Sequence, residues 1–259
     1  MSVAIFSPPL SKKTRVERSA LLDERNASEC ERKKKMATIM SASSHEHGEH
    51  GLDSGSMSFL DKEVDTGTTI MAVTYGGGVI MGADSRVSTG NYVANRVSDK
   101  LTAIHERIYV CRSGSAADTQ AVTDYVRHYL AGHVVENDAL PLVKTAASLA
   151  KRICYGNKDQ LLAGLIVGGV DPVNGPEVYA IPLGGTCVKV PFAIGGSGST
   201  YIYGHVDNEY RPNMTKQECI TFVTTAISHA MSRDGSSGGI IRLVCIEPDA
   251  VERRFVVVS

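Results

Sequence analysis

The sequence predicts an α+β chain in which two antiparallel sheets pack face to face and helices cover both outer faces, a four-layer αββα sandwich. Three observations carry this. From residue 68 onward, short apolar runs punctuated by glycine alternate with longer amphipathic stretches, in the order strands, helices, strands, helices, strands. The first two apolar runs are joined by Gly76-Gly77-Gly78, a hairpin signal. Ser115 with Asp118, and Thr215 with Glu218, have the spacing of capping pairs at the heads of two amphipathic stretches.

Taken in order, residues 68–75 and 79–85 are the strands of the first hairpin, and 101–105 with 107–113 form a second. The first helix starts at Ser115 and places Val122, Val126, Tyr129 and Leu130 on one face. A second helix spans 140–155 and ends before Gly156-Asn157. Three strand-like runs follow at 161–170, 176–183 and 186–194, separated by Gly, Pro and Asn turn chemistry. Helical stretches at 198–208 and 215–233 precede closing strands at 240–247 and 251–258.

Composition is that of an ordinary globular protein, with 42% hydrophobic and 21% charged residues. A formal net charge of −1 argues against a general affinity for nucleic acid or anionic membranes. No apolar run is long enough to predict a membrane span. Near the N-terminus the basic Lys12 and Lys13 follow the short apolar piece, the wrong order for a secretory signal. The cysteines at 30, 111, 154, 187, 219 and 245 show no paired CxxC spacing and are expected to be reduced thiols of an intracellular protein.

Residues 1–67 differ in kind, being rich in Ser, Lys, Arg, Glu and His with little hydrophobic periodicity. They are expected to be largely disordered and to act as a removable propeptide ahead of a domain over 68–259. The run Arg32-Lys33-Lys34-Lys35 is expected to be a solvated charge block, with a nuclear-import patch as the other reading. His45, His47 and His50 are low complexity without a rigid frame, so neither a metal site nor a cofactor is expected.

Chemistry concentrates in Gly67-Thr68-Thr69-Ile70, then Gly82-Ala83-Asp84-Ser85-Arg86, Asp99-Lys100 and Asp234-Gly235-Ser236-Ser237-Gly238-Gly239. If the chain is cut after Gly67, Thr68 carries both a hydroxyl and a free amine whose ordinary pKa of about 7.7 to 8.0 suits a base near neutrality. Together with Ala94-Asn95-Arg96-Val97-Ser98-Asp99-Lys100-Leu101 and Cys111-Arg112-Ser113-Gly114-Ser115-Ala116-Ala117-Asp118, these stretches resemble the catalytic beta subunits of the 20S proteasome. The resemblance runs from Thr68 to near the C-terminus and is strongest to the caspase-like type, which cuts after acidic residues.

The resemblance implies the N-terminal nucleophile hydrolase fold and self-cleavage at Gly67-Thr68. It makes Thr68 the nucleophile and base, with Lys100 beside it and Asp84 as the partner of Lys100. Ser197, Asp234 and Ser237 orient the amine and hydroxyl, and the backbone N–H of Gly114 is the oxyanion donor. Arg112, two residues before Gly114 and on the same strand face, is the candidate for an acidic substrate side chain. Val87, Ser98, Thr102, Ala116 and Gln120 complete the pocket; Val87 and Ser98 stand where the family pattern has threonines. On the residues alone, Thr68 is also a β-branched strand residue, Lys100 and Asp84 an ordinary ion pair, and Arg112 a surface arginine. Implied partners are other beta subunits and alpha-ring subunits in stacked seven-membered rings, with unfolded proteins or peptides as substrates, in cytoplasm and nucleus. A non-catalytic ring subunit and a stand-alone amidase of the same superfamily are the other readings.

Overall fold

A computed structural model describes residues 67–89 and 92–257, and the expected propeptide up to residue 66, with Cys30 and the basic and histidine tracts, lies outside them. Alternation along the first hairpin sets the layering. In β1 (Ile70–Tyr75), Met71, Val73 and Tyr75 face one apolar cluster while Ile70 and Ala72 face another. In β2 (Gly78–Ala83), Ile80 joins the first cluster, and Val79, Met81 and Ala83 join the second. Both strands are buried on both faces, which is why they read as almost unbroken apolar runs.

A short ribbon of β3 (Val87–Thr89) and β4 (Tyr92–Asn95) follows, then β5 (Leu101–His105) and β6 (Ile108–Gly114). After helices α1 (Ala116–Asn137) and α2 (Val143–Gly156) come β7 (Ala163–Asp171), β8 (Gly175–Ile181), β9 (Val188–Val190) and β10 (Phe192–Gly195). A 3-10 turn (Ser197–Tyr201), α3 (Tyr203–Glu209) and α4 (Lys216–Arg233) lead to β11 (Ile240–Ile246) and β12 (Val251–Val257).

The first sheet has the order β10-β1-β2-β11-β12 and the second β5-β6-β7-β8-β9, with every pairing antiparallel. Between them lies a core containing Ile70, Met81, Leu101, Cys111, Ile166 and Val244. Helices α3 and α4 cover the outer face of the first sheet through Val206, Val223 and Ile227, and α1 and α2 cover the second through Val126, Leu130 and Ala147. The four-layer αββα sandwich is therefore the observed fold.

Several expectations are corrected in detail. The β3–β4 ribbon was not expected, because three and four residues are too few to display an alternation. The run at 186–194 is two strands, not one: β9 pairs with β8 in the second sheet, while β10 pairs with β1 in the first. Pro191 stands between them, where the chain passes from one sheet to the other, and its carbonyl accepts from both the amide and the hydroxyl of Thr74. The stretch at 198–208 divides into the 3-10 turn and α3.

The helix caps explain the α elements. Ser115 caps α1 by accepting from the Asp118 amide, and Thr215 and Glu218 form a full capping box on α4. Tyr129 is 53% exposed although it was expected on the buried face of α1. The buried stripe is Thr119, Val122, Thr123, Val126 and Leu130, and Tyr129 falls at its rim. Helix α2 starts at Val143, not 140, and includes Gly156. Its first residue lacks a local side-chain cap; instead, the Val143 amide donates to Asp171 Oδ2 at the end of β7.

Candidate active site

β1 begins just after Thr68, and β2 ends at Ala83, paired opposite Ile70, so Asp84 follows on directly beside the Thr68–Thr69 segment. The Asp84 amide donates to the Thr69 carbonyl at 3.1 Å, and its side chain is fully buried. A carboxylate in that position needs donors from every side. Asp84 Oδ1 accepts from the Thr69 amide at 2.9 Å and from Lys100 Nζ at 2.8 Å, and Oδ2 accepts from the amides of Gly238 at 3.0 Å and Arg86 at 3.1 Å.

Lys100 enters from the start of β5 and is 5% exposed. Besides its ion pair with Asp84, its ammonium donates to Thr68 Oγ1 at 3.1 Å and to the Gly67 carbonyl at 2.9 Å. The Thr68 hydroxyl, itself buried, donates to that same carbonyl at 2.5 Å. One carbonyl oxygen thus receives an ammonium and the hydroxyl of the residue that follows it. Gly67 reaches this conformation at a φ of +61°, and a Cβ there would lie 2.3 Å from Ser236 Cβ, so only glycine fits.

On the other side of Thr68, its amide donates to Ser197 Oγ at 3.1 Å. Ser197 and Ser237 both donate to Asp234 Oδ2, at 2.8 and 2.6 Å. Asp234 is the C-cap of α4, and its Oδ1 accepts from the Ser236 amide, so this carboxylate is set by the helix end and the turn after it. Two groups extend the network beyond the sequence expectation. Thr69 Oγ1 shares a 2.8 Å hydrogen bond with Ser237 Oγ, and Ser85 Oγ accepts from the Ile240 amide while donating to the Arg96 carbonyl. The adjacent motif residues hint at them, but their partners lie more than 150 positions away in two of these bonds.

Beyond Thr68 a cavity of about 30 Å³ is lined by Val87, Ser98, Lys100, Arg112, Ser113, Gly114, Ala116 and Thr119. Of the expected walls, Thr102 and Gln120 are not among these residues. Gln120 points to solvent on α1, and the preceding Thr119, on the buried stripe, takes its place. Thr102 lies next to Leu101, whose side chain enters the inter-sheet core, so alternation sends Thr102 to the opposite face. Gly114 ends β6 at a φ of +100°, where a Cβ would lie 2.3 Å from the Leu162 carbonyl oxygen. It also borders a second cavity of about 520 Å³ that runs past Gly195, Gly196 and Ser197.

Arg112 is half-buried at the smaller cavity, of about 30 Å³. Its Nη2 donates to the Asp99 backbone carbonyl at 2.8 Å, and its Nε is buried with no hydrogen-bond partner among the described residues. Burial pushes the guanidinium pKa down, partly offset by the nearby Asp99 and Asp124 carboxylates. A cation held here without a bonded anion is suited to receive one. Four buried thiols are in contrast held protonated: burial raises Cys154 to about 11 and Cys219 to about 12, and Cys111 and Cys245 are also raised.

The proteasome subunit family profile matches residues 64–246. Over 198 residues the chain is 62% identical to a proteasome subunit beta type-6 of Dictyostelium discoideum, covering 76% of this chain and 92% of that one. It is 54% identical over 196 residues to a beta type-6 subunit of Arabidopsis thaliana, covering 76% and 84% respectively. A beta type-1 subunit of Saccharomyces cerevisiae is 54% identical over 191 residues, covering 74% of this chain and 88% of its own length.

Proposed function

This chain belongs to the proteasome beta-subunit family and so assembles with other proteasome subunits; from that premise we propose that it is a threonine endopeptidase of the 20S core which activates itself at Gly67-Thr68 and cuts after acidic residues. The observation that carries this is Lys100. Its ammonium bonds at once to the Gly67 carbonyl, the Thr68 hydroxyl and the buried Asp84.

For activation, the Thr68 hydroxyl adds to the Gly67 carbonyl carbon while Lys100 Nζ draws negative charge onto the carbonyl oxygen. The hydroxyl proton passes to the departing nitrogen, the carbon–nitrogen bond breaks, and the Gly67 acyl group is left as an ester on Thr68. Water then hydrolyses the ester. Gly67 leaves as a carboxylate and Thr68 keeps a free amine and a free hydroxyl.

In the processed subunit that amine accepts the hydroxyl proton and Thr68 attacks a substrate carbonyl. Lys100 lowers the pKa of both groups, and Ser197, backed by Asp234, holds the nitrogen. The Gly114 amide is the proposed oxyanion donor. Arg112 receives the acidic side chain before the cut, a role supported by its unpartnered Nε and its place on the cavity wall. The same proposal places the subunit in stacked seven-membered rings with alpha-type rings, acting on unfolded proteins or peptides in cytoplasm and nucleus.

The test is N-terminal sequencing by mass spectrometry of the native assembled protein beside a Thr68→Ala variant. Thr68 as the new terminus in the wild type, with the bond intact in the variant, is the expected result. An intact Gly67-Thr68 bond in assembled wild-type particles would make this a structural ring subunit.

A further inference from the structure

Two carboxylates lie close enough to Arg112 to influence its charge, Asp99 and Asp124, yet neither is bonded to it. Each is held by a different arginine. Arg127 takes Asp124 at 2.6 Å on the exposed surface of α1. Arg253 takes Asp99 Oδ2 at 2.5 Å, and its guanidinium also reaches the Leu101 carbonyl at 3.4 Å. Arg112 itself meets Asp99 only through the backbone carbonyl.

The position of Arg253 follows from alternation in β12. Val256 packs toward the α4 side, and Glu252 reaches Lys216 of α4. Val251 packs into the inter-sheet core, so Arg253, two residues on, points toward the second sheet and the turn before β5. An arginine on the edge strand of one sheet thereby reaches across to the residue preceding Lys100 in the other.

We propose that Arg253 is a specificity-positioning residue: by holding the Asp99 carboxylate it keeps that anion off the Arg112 guanidinium, leaving the Arg112 charge for the acidic side chain of a peptide substrate. Without Arg253 the Asp99 side chain is anchored, among the described residues, by the Leu101 amide on Oδ1, and its charge is free to neutralise Arg112. The inference rests on the post-acidic reading of Arg112 given above.

The experiment measures kcat/KM of assembled particles toward matched fluorogenic peptides that differ only in an acidic or an apolar residue before the cut. Wild type, Arg253→Gln, Asp99→Asn, the double variant and Arg112→Gln are compared. Arg253→Gln is expected to lower the acidic-over-apolar ratio about threefold, the scale of a half-exposed ion pair, with apolar turnover retained. Adding Asp99→Asn to it restores the ratio, and Asp99→Asn alone holds it at or above the wild-type value. Equal loss on both substrates in Arg253→Gln, or no loss, overturns the proposal, as does a lower ratio in Asp99→Asn alone. If Arg253→Gln particles fail to assemble, the Asp99→Asn result decides. Should the wild type and Arg112→Gln show the same ratio, the post-acidic reading falls; should Arg112→Gln alone lose the preference, only the Arg253 proposal falls.

Discussion

The two charged centres beside Thr68 are built on opposite plans. Around Lys100 and Asp84 both carboxylate oxygens are bonded and the ammonium bridges three acceptors, with both side chains removed from water. At Arg112, which stands across from Lys100 in β6, the guanidinium bonds a backbone carbonyl while its Nε has no partner among the described residues. A buried ion that is fully bonded is held in one geometry before any substrate arrives. A buried ion that is not fully bonded keeps an electrostatic demand that an incoming carboxylate can meet. The first centre is preorganised; the second is the one to which the proposal assigns selection.

Removing one partner from the satisfied centre breaks this contrast most severely. Lys100→Ala leaves Asp84 as a buried charge without its cation. Breaking a buried pair costs about 3 kcal/mol or more, so a fall in melting temperature is expected, together with an uncut Gly67-Thr68 bond by mass spectrometry. Retained stability would mean that the backbone donors to Asp84 suffice by themselves.

Arg112→Gln acts on the other centre and should leave stability and self-cleavage intact. Its effect is a loss of roughly ten- to a hundredfold in preference for acidic substrates, the worth of a charge-assisted hydrogen-bonded pair, read from kcat/KM on matched peptides. Gly67→Ala sharpens the comparison in time. Backbone strain and the clash with Ser236 cost about 1 to 3 kcal/mol, so self-cleavage slows in a time course, yet particles that have been processed show normal turnover because residue 67 has gone.

The smallest effect is expected at the surface. Arg254 bonds Glu252 in a two-pronged pair at 2.5 and 2.9 Å, as close as the Lys100–Asp84 contact. Both partners are solvated, and Arg254→Ala should leave the melting temperature unchanged. The distance alone does not decide what an ion pair contributes.

The legible parts of this molecule were those carried by neighbours in the chain. The glycine hairpin at 76–78, the capping pairs at Ser115 and Thr215, and the layered order of elements all rest on contiguous residues. Thr68, Asp84 and Lys100 were legible through their motifs, and the structure brings all three within hydrogen-bond reach. What stayed hidden depends on partners remote in sequence. The cap of α2 is supplied by Asp171, the sheet change at Pro191 is visible only once β1 and β8 are in place, and the link from Arg253 to Asp99 joins residues 154 positions apart. Thr119 and not Gln120 lines the small cavity because Thr119 falls on the buried stripe of α1, and that phase is set by packing against the sheet.

The four donors to Asp84 come from separate places along the chain, at residues 69, 86, 100 and 238. The last of them, the Gly238 amide, belongs to the turn that leads into β11, and the pairing of β11 with β2 fixes that turn. A chain emerging from the ribosome therefore has no complete site until its closing strands have been made and docked. The surroundings of Thr68 are completed last although Thr68 is among the first residues of the domain to be synthesised. On the proposal that Thr68 is the nucleophile, proteolytic competence becomes a signal that folding has finished.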